Sequence, residues 1–446
     1  MTVASSAGLQ SRGVAPDEFA AREQLRASSA EFREDVIEIT QGVFVAVGYS
    51  ASNVILLQGE NGSIIVDTSA NPVDARAIVA AFGTRLLRPV RAIIYTHNHP
   101  DHSGGASVFA GSGNPEIYSH QTLVDSAPEF GRGPRGGGDA FGTNLPNAQF
   151  INAGTQLEYG RVTPHTRAGF LPPTRTFSSE AATIDIAGVR MQLIHTPGES
   201  PENVAVWIPS KRVLIPGDDF YKSYPNLSPL RGVRLRSPEK WIASLEKMLG
   251  LDADYLLQGH MRPILGKEEV RQALKVYRDG IQTVLDQTLA GIRQGRTPDE
   301  LVQEVRLPPK LAQSPYLQEY YGSVAWTVRG IYADYVGWFD GNATNIFPLP
   351  PADRAARMLD MVGGARKMLA RARSAIEAGA FQWAAELTDY VLTVDAGDID
   401  AKRIKSAALT ELGERQVNAT ARNYYLTAAR FLLEGPREDA QSSATI

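Results

Sequence analysis

The stretch YTHNHPDHSGG, Tyr95 to Gly105, places His97, His99, Asp101 and His102 within six residues of a chain that holds only seven histidines. Imidazole nitrogens and carboxylate oxygens are the ligands that zinc-like cations take from protein. The pattern H-x-H-x-D-H therefore reads as part of a metal site. Alternate positions 97 and 99 face one ion, and the turn at Pro100 redirects Asp101 and His102 toward a second. There is no cysteine, which excludes thiolate ligands, disulfides and cysteine nucleophiles. Four side chains do not satisfy two ions, so further ligands must come from downstream.

Those ligands need elements to carry them. VRAIIYT (Val90 to Thr96) is apolar and β-branched and reads as a buried strand running into the histidine loop. Strand-like runs precede it at Gly42–Tyr49, Ser52–Gly59 and Gly62–Ser69, with a hairpin signal in GENGS. NPVDARAIVAAFG reads as a short helix with Pro near its start and Gly at its end. Strands resume at Thr183–Gly198, Asn203–Asp219 and Ala253–His260, and a helix with Ser237 as N-cap lies between the last two. This order predicts an α/β protein with a mixed sheet. After Gly266 the pattern turns helical. Leu274, Tyr277, Ile281, Val284, Leu285, Leu289 and Ile292 form one apolar stripe, Thr297–Glu300 forms a capping box, and Ala378–Arg415 reads as one tetratricopeptide-like helix pair.

At 446 residues and 43% apolar content the chain has material for two or three domains and a large core. A formal charge of −4 gives no reason to expect a nucleic-acid or membrane-surface partner. The N-terminal segment has no basic start followed by an apolar run, and no apolar run is long enough to span a bilayer. A cytoplasmic product is the expectation, with a periplasmic one if a leader has been removed.

IHTPGESPENVAVWIPSKRVLIPGDD supplies the missing donors: His195 or Glu199, and Asp218 or Asp219; QGH then adds His260. THNHPDH, TPGESPEN, PGDD and QGH, in this order, resemble the metallo-β-lactamase superfamily. Glu199, where that superfamily usually has His, resembles its alkyl sulfatase branch. FGTNLP, PLRGV, DYVGWFDGNATNIFPLPP, MVGGARKML and AGAFQWAAEL extend the likeness over roughly residues 40 to 430. The resemblance implies a metallo-β-lactamase αββα sandwich followed by an all-α dimerisation module. The expected divisions are an arm at 1–35, a catalytic domain at 36–266, a helical domain at 267–435 and a disordered tail at 436–446, with no room for a third, lipid-carrier-like domain. It also implies two divalent ions, zinc foremost, with manganese and iron chemically admissible. His97, His99 and Glu199 would hold one ion, Asp101, His102 and His260 the other, and Asp218 would bridge them.

The implied activity is hydrolysis of an alkyl sulfate ester to alcohol and inorganic sulfate by a homodimer. Hydrolysis of a phosphodiester, lactone or thioester at the same site is the alternative. Lys222, Tyr224, Arg231, Arg234 and Arg236 follow the bridging position as anion handles. The resemblance gives Arg231 the sulfate. It leaves Arg236 as a catalytic candidate where the branch commonly has His, although a guanidinium does not release a proton at neutral pH. Tyr224, Phe141 and Asn144 join Arg231 as expected substrate contacts. Phe141, Leu145, Pro146, Phe150, Phe170 and Leu171, in the irregular stretch from Phe130 to Phe177, would line an alkyl channel. His120 and His165 match no motif.

Overall fold

The computed structural model describes residues 19–126, 137–156, 167–230 and 235–435. These divide into two compact units. The larger comprises 28–137 and 151–340, and the smaller 1–27, 138–150 and 341–446, within the described residues.

The larger unit holds two sheets. The first contains β1 (Asp35–Thr40), β2 (Val43–Val47), β3 (Val54–Gly59), β4 (Gly62–Val66), β5 (Val90–Ile94), β6 (Glu116–His120) and β7 (Arg175–Phe177), in that spatial order. The strands β1 to β4 form an antiparallel meander, and β4 to β7 run parallel. The second contains β8 (Ala181–Ile186), β9 (Val189–His195), β10 (Val204–Ile208), β11 (Val213–Ile215), β12 (Tyr255–Leu256) and β13 (Ile264–Leu265). Here β11 and β12 are parallel and the other neighbours antiparallel.

Alternation along the strands sets the layers. Val43, Val45 and Val47 of β2 face Val204, Val206 and Ile208 of β10 across a shared core between the sheets. The intervening Phe44 and Ala46 point the other way, onto Ile78 and Phe82 of α1 (Pro72–Phe82), with Ala106 and Phe109 beyond. Between β5 and β6 the chain forms two short helices, α2 (Pro100–Ser103) and α3 (Ala106–Ala110). On the far side of the second sheet, Ala205 and Trp207 meet α4 (Pro238–Leu249), α5 (Lys267–Arg293) and α6 (Val324–Tyr335) through Trp241, Leu245, Leu274, Tyr277 and Val328. The architecture is therefore the αββα sandwich.

Local signals act where the sequence places them. Asn71 caps α1 by accepting from the amides of Val73 and Asp74, and Ser237 caps α4 by accepting from Lys240. The Thr297–Glu300 capping box forms.

The boundary expected at Gly266 does not match the compact units. The apolar stripe of α5, with Val270, Leu274, Tyr277, Ile281 and Val284 all buried, covers the second sheet, so the larger unit continues to residue 340. A stripe shows that a helix is covered but not what covers it.

The smaller unit is helical: α7 (Pro351–Val362), α8 (Ala365–Glu377), α9 (Phe381–Val394), α10 (Ile399–Glu414) and α11 (Ala419–Glu434). Small residues line its helix crossings: Ala375, Ala384, Ala385, Ala408 and Ala429. The segment 138–150 belongs to this unit. Arg430 donates to Asn144 O, Arg422 to Gln149 O and Asn423 to Ala140 O. No helix among the described residues is long and apolar enough to cross a membrane.

Candidate metal centre

Five strand ends deliver the chemistry. Just beyond β4 stands Asp67, beyond β5 His97, beyond β9 Glu199, beyond β11 Asp218 and beyond β12 His260. The sheets are tied together here, since Val204 N donates to Thr96 O at 2.8 Å and Asn53 N to Gly259 O at 2.7 Å. Gly217 takes φ +61° in the turn that presents Asp218. Gly259 lies so close to Asp218 Oδ1 and His102 Cε1 that a side chain there would strike both.

The predicted ligands converge. His102 Nε2 lies 3.4 Å from His260 Nε2, 3.4 Å from Asp218 Oδ2 and 3.7 Å from Asp101 Oδ2. His260 Nε2 lies 3.1 Å from Asp218 Oδ2, and His97 Nε2 3.7 Å from it. His97 Nε2 and His99 Nδ1 are 2.8 Å apart. Three sets of donor atoms are close enough to hold an ion: His97, His102 and Asp218; Asp101, His102 and His260; His99, Glu199 and Asp218. Asp218 belongs to two of them. Glu199, and not His195, falls within these sets. His195 instead stacks on His120, with ring centroids 3.8 Å apart.

Around the donors, each of three imidazoles has its outer nitrogen engaged. His102 Nδ1 is 2.7 Å from Asp67 Oδ2, His260 Nδ1 2.8 Å from Ala51 O and His97 Nδ1 3.0 Å from Thr96 Oγ1. Each turns Nε2 inward, the arrangement a metal-binding histidine needs. Asp67 also accepts from Thr96 N (2.9 Å) and Thr96 Oγ1 (2.8 Å), and adopts φ +56°, a strained backbone held by these bonds. Ser52 Oγ donates to Asp101 O, and Asn53 Nδ2 to the carbonyls of Gln258 and Met261. Neither Asp67 nor these supporting residues was singled out from the sequence. The signal for Asp67 was a buried run, SIIV, that ends on a carboxylate.

Burial and charge act in opposite senses here. Burial opposes ionisation of Asp218, yet His260, His102 and His97 hold its carboxyl well below the usual range. Burial, with the charge of neighbouring His102, pushes His97 down to about 3. Burial works against charge on His102 too, but Asp218, Asp67 and Asp101 raise it well above an ordinary imidazole, and His260 is raised in the same way. Asp219 is pushed well above the usual carboxyl range by burial, although Glu199 N donates to it. It also lies 2.9 Å from Asn203 Nδ2, so it braces the turn while Asp218 faces the donors. Asp218 Oδ1 is buried with no hydrogen-bond partner among the described residues. A bare buried carboxylate oxygen beside converging imidazoles suits a divalent cation.

The other expected site residues fall elsewhere. Tyr224 is not placed to touch substrate: it is fully buried in the core beside Phe220 and Leu227, and its backbone pairs with Gln318 and Gly322. An aromatic close in sequence to a site is as apt to fill the core beneath it. Arg236 donates to Glu199 Oε2 and to Asn226 O, so it faces the Glu199 carboxylate. Lys222 pairs with Glu31 at 2.9 Å. Phe170 stacks on Tyr95 at 5.7 Å, while Tyr95 Oη donates to Leu171 O, so this stretch is pinned to the first sheet's outer face. Phe141 is buried in the smaller unit, where Asn144 Nδ2 donates to Asp139 Oδ1 at 2.7 Å. Arg231, Arg234 and His165 lie outside the described residues.

Residues 47–260 match the family model of the metallo-β-lactamase superfamily, and 297–435 that of alkyl sulfatase dimerisation. A linear primary-alkylsulfatase of Pseudomonas sp. is 38% identical over 397 residues, spanning 86% of this chain and 74% of that protein. A second linear primary-alkylsulfatase of Pseudomonas sp. is 30% identical, spanning 92% of this chain and 64% of its own. The solved stereoselective inverting sec-alkylsulfatase from Pseudomonas sp. superposes with a TM-score of 0.83 at 26% identity, over 94% of this chain and 68% of that one. The paired His and carboxylate donors, the αββα sandwich and the helical region that follows it thus place this chain in the alkylsulfatase family of the metallo-β-lactamase superfamily.

Proposed function

We infer that this protein is a metal-dependent hydrolase that cleaves alkyl sulfate esters to an alcohol and inorganic sulfate. The observation that carries the reading is the gathering of six donors around Asp218, a carboxylate shared between two cation-sized sets. His97, His99 and Glu199 would hold one ion, Asp101, His102 and His260 the other, and Asp218 would lie between them. Zinc suits a donor set of imidazoles and carboxylates without sulfur. When bound, the pair of ions supplies Lewis acidity and a water acidified toward neutral pH.

The chain's own groups do the rest. Asp67, Thr96 and the Ala51 carbonyl hold three imidazoles with Nε2 inward. Asp67, Asp101, Glu199 and Asp218 bring buried carboxylates together, so an anionic ester enters only if cations balance them. The bound ions would supply that balance, with Arg231 as the contact to the sulfate oxygens. The curated relatives named above are linear primary-alkylsulfatases, which favours an unbranched alkyl sulfate as substrate. Two copies would pair through the helical region that matches the dimerisation family.

The test is metal analysis of purified protein combined with a substrate panel. About two divalent ions per chain and release of sulfate from dodecyl sulfate, in preference to turnover of a phosphodiester or a lactone, are expected. Preferred turnover of either competitor would overturn the substrate assignment, and absence of metal would overturn the enzyme.

A further inference from the structure

Arg236 is a cation built into a site for cations. It is 7% exposed, and its Nη1 donates to Glu199 Oε2 and, at 2.7 Å, to Asn226 O. The backbone holds it there. Arg236 N donates to Leu227 O at 3.0 Å, and Asn226 N donates to Tyr221 Oη at 2.8 Å. Arg236 is thus held at its backbone and at Nη1, and its charge rests on a carboxylate that also stands within ligating distance of His99 and Asp218. Asp101, His102 and His260 form a separate set. Its imidazoles are backed by Asp67 and the Ala51 carbonyl.

Resting on the metal-site reading above, we propose that Arg236 is a positioning residue that serves as the resident counter-cation of Glu199 and makes the ion of the His99–Glu199–Asp218 set the weakly held, exchangeable one. Two cations sharing one buried carboxylate repel each other, and the repulsion is strong where water is excluded. The arginine also keeps Glu199 compensated while the ion is away, since a buried carboxylate without a partner is strongly unfavourable. Loss of that ion then leaves a site that does not collapse or protonate, and the ion can return. Both contacts run through the one Nη1, so a lysine would keep the charge on the carboxylate.

The experiment is a titration of metal-stripped protein with Zn(II) against a chromophoric chelator, for wild type, Arg236→Met, Arg236→Lys, Glu199→Gln and the double variant Glu199→Gln/Arg236→Met. Wild type should bind two ions in separate steps. Arg236→Met should tighten the weaker step by at least about tenfold, the scale of one charge removed from a buried pair, and leave the tighter step unchanged. Arg236→Lys should stay near wild type. On the Glu199→Gln background, Arg236→Met should have no further effect, because the coupling runs through that carboxylate. A weaker step that is unchanged or loosened in Arg236→Met, or two steps that shift together, overturns the proposal. If Arg236→Met does not fold, Arg236→Gln, which also removes the charge, with and without Glu199→Gln carries the same comparison: the weaker step should tighten, and the gain must vanish on the Glu199→Gln background. Wild type that binds no metal removes the proposed function itself, whereas two ions insensitive to Arg236 remove only this inference.

Discussion

Asp67 Oδ2 lies 2.7 Å from His102 Nδ1, and the pair is fully buried. The carboxylate holds the ring so that Nε2 faces Asp101, Asp218 and His260. Asp67→Asn should leave the fold intact yet weaken binding of the ion assigned to Asp101, His102 and His260 by about 10–100-fold, the usual cost of losing a partner behind a metal ligand. A chelator-competition titration checks this. Unchanged affinity would mean the ring is held by its other contacts.

Asp218 shares a donor set with His99 and Glu199, and its Oδ2 also lies 3.4 Å from His102 Nε2 and 3.1 Å from His260 Nε2. Asp218→Asn should therefore lower the affinity for both ions, and turnover of dodecyl sulfate should fall by more than the roughly 100-fold that changes behind the ligands cause. His195→Ala, by contrast, removes a ring stacked on His120 outside all three sets and should keep the full metal content. Metal analysis of the two variants side by side is the check. Full metal content in Asp218→Asn would contradict the bridge.

The raised pKa values of His102 and His260 give metal binding a pH dependence. In metal-stripped protein both rings gain protons on folding. Their stabilising contribution is present below the ordinary imidazole range, near 6.5, and is lost as pH rises through the raised values. A metal ion needs the same rings neutral, so its apparent affinity rises with pH over that window and its binding releases protons. The difference in melting temperature between metal-loaded and chelated protein should widen from about pH 6 to about pH 8. A constant difference across that range would be the contrary result.

Helix α5 is part of the catalytic unit's core. A chain cut after Gly266 would expose the second sheet and lose the burial of Leu274, Tyr277, Ile281 and Val284, each worth about 1.5–3 kcal/mol. That total rivals the whole stability of an ordinary domain. Such a truncation should yield insoluble or unfolded protein, while a chain ending after Asp340 should retain the catalytic unit's circular dichroism. In the full chain, Leu274→Ala should cost about 2–5 kcal/mol in denaturant unfolding with little change in metal content. Tyr224→Phe should leave KM unaltered, since the ring is enclosed in the core.

How much could be read in advance varied with the range of the signal. Capping at Asn71, Ser237 and Thr297 is local chemistry, and each cap forms where its residues stand. The alternation in β2 and β10 reports two buried faces, because strand geometry sends successive side chains to opposite sides. Tyr224, Phe170 and Leu171 pack against core side chains, which the sequence does not announce. Residue type and nearness in sequence do not say whether an aromatic points at a site or into the core beneath it.

By itself the sequence determined which atoms were available: three imidazoles and a carboxylate in one short loop, two more carboxylates and a histidine at later strand ends, and no thiolate. Those identities restrict the chemistry to hard or borderline cations. Only the tertiary structure decided the partnerships. Asp67 stands behind His102, Asp218 is shared between donor sets, and Arg236 lies on Glu199. These residues are separated by tens of positions or more, and only the packing of two sheets, face to face across their shared core, brings their strand ends to one place. No local propensity encodes such a meeting.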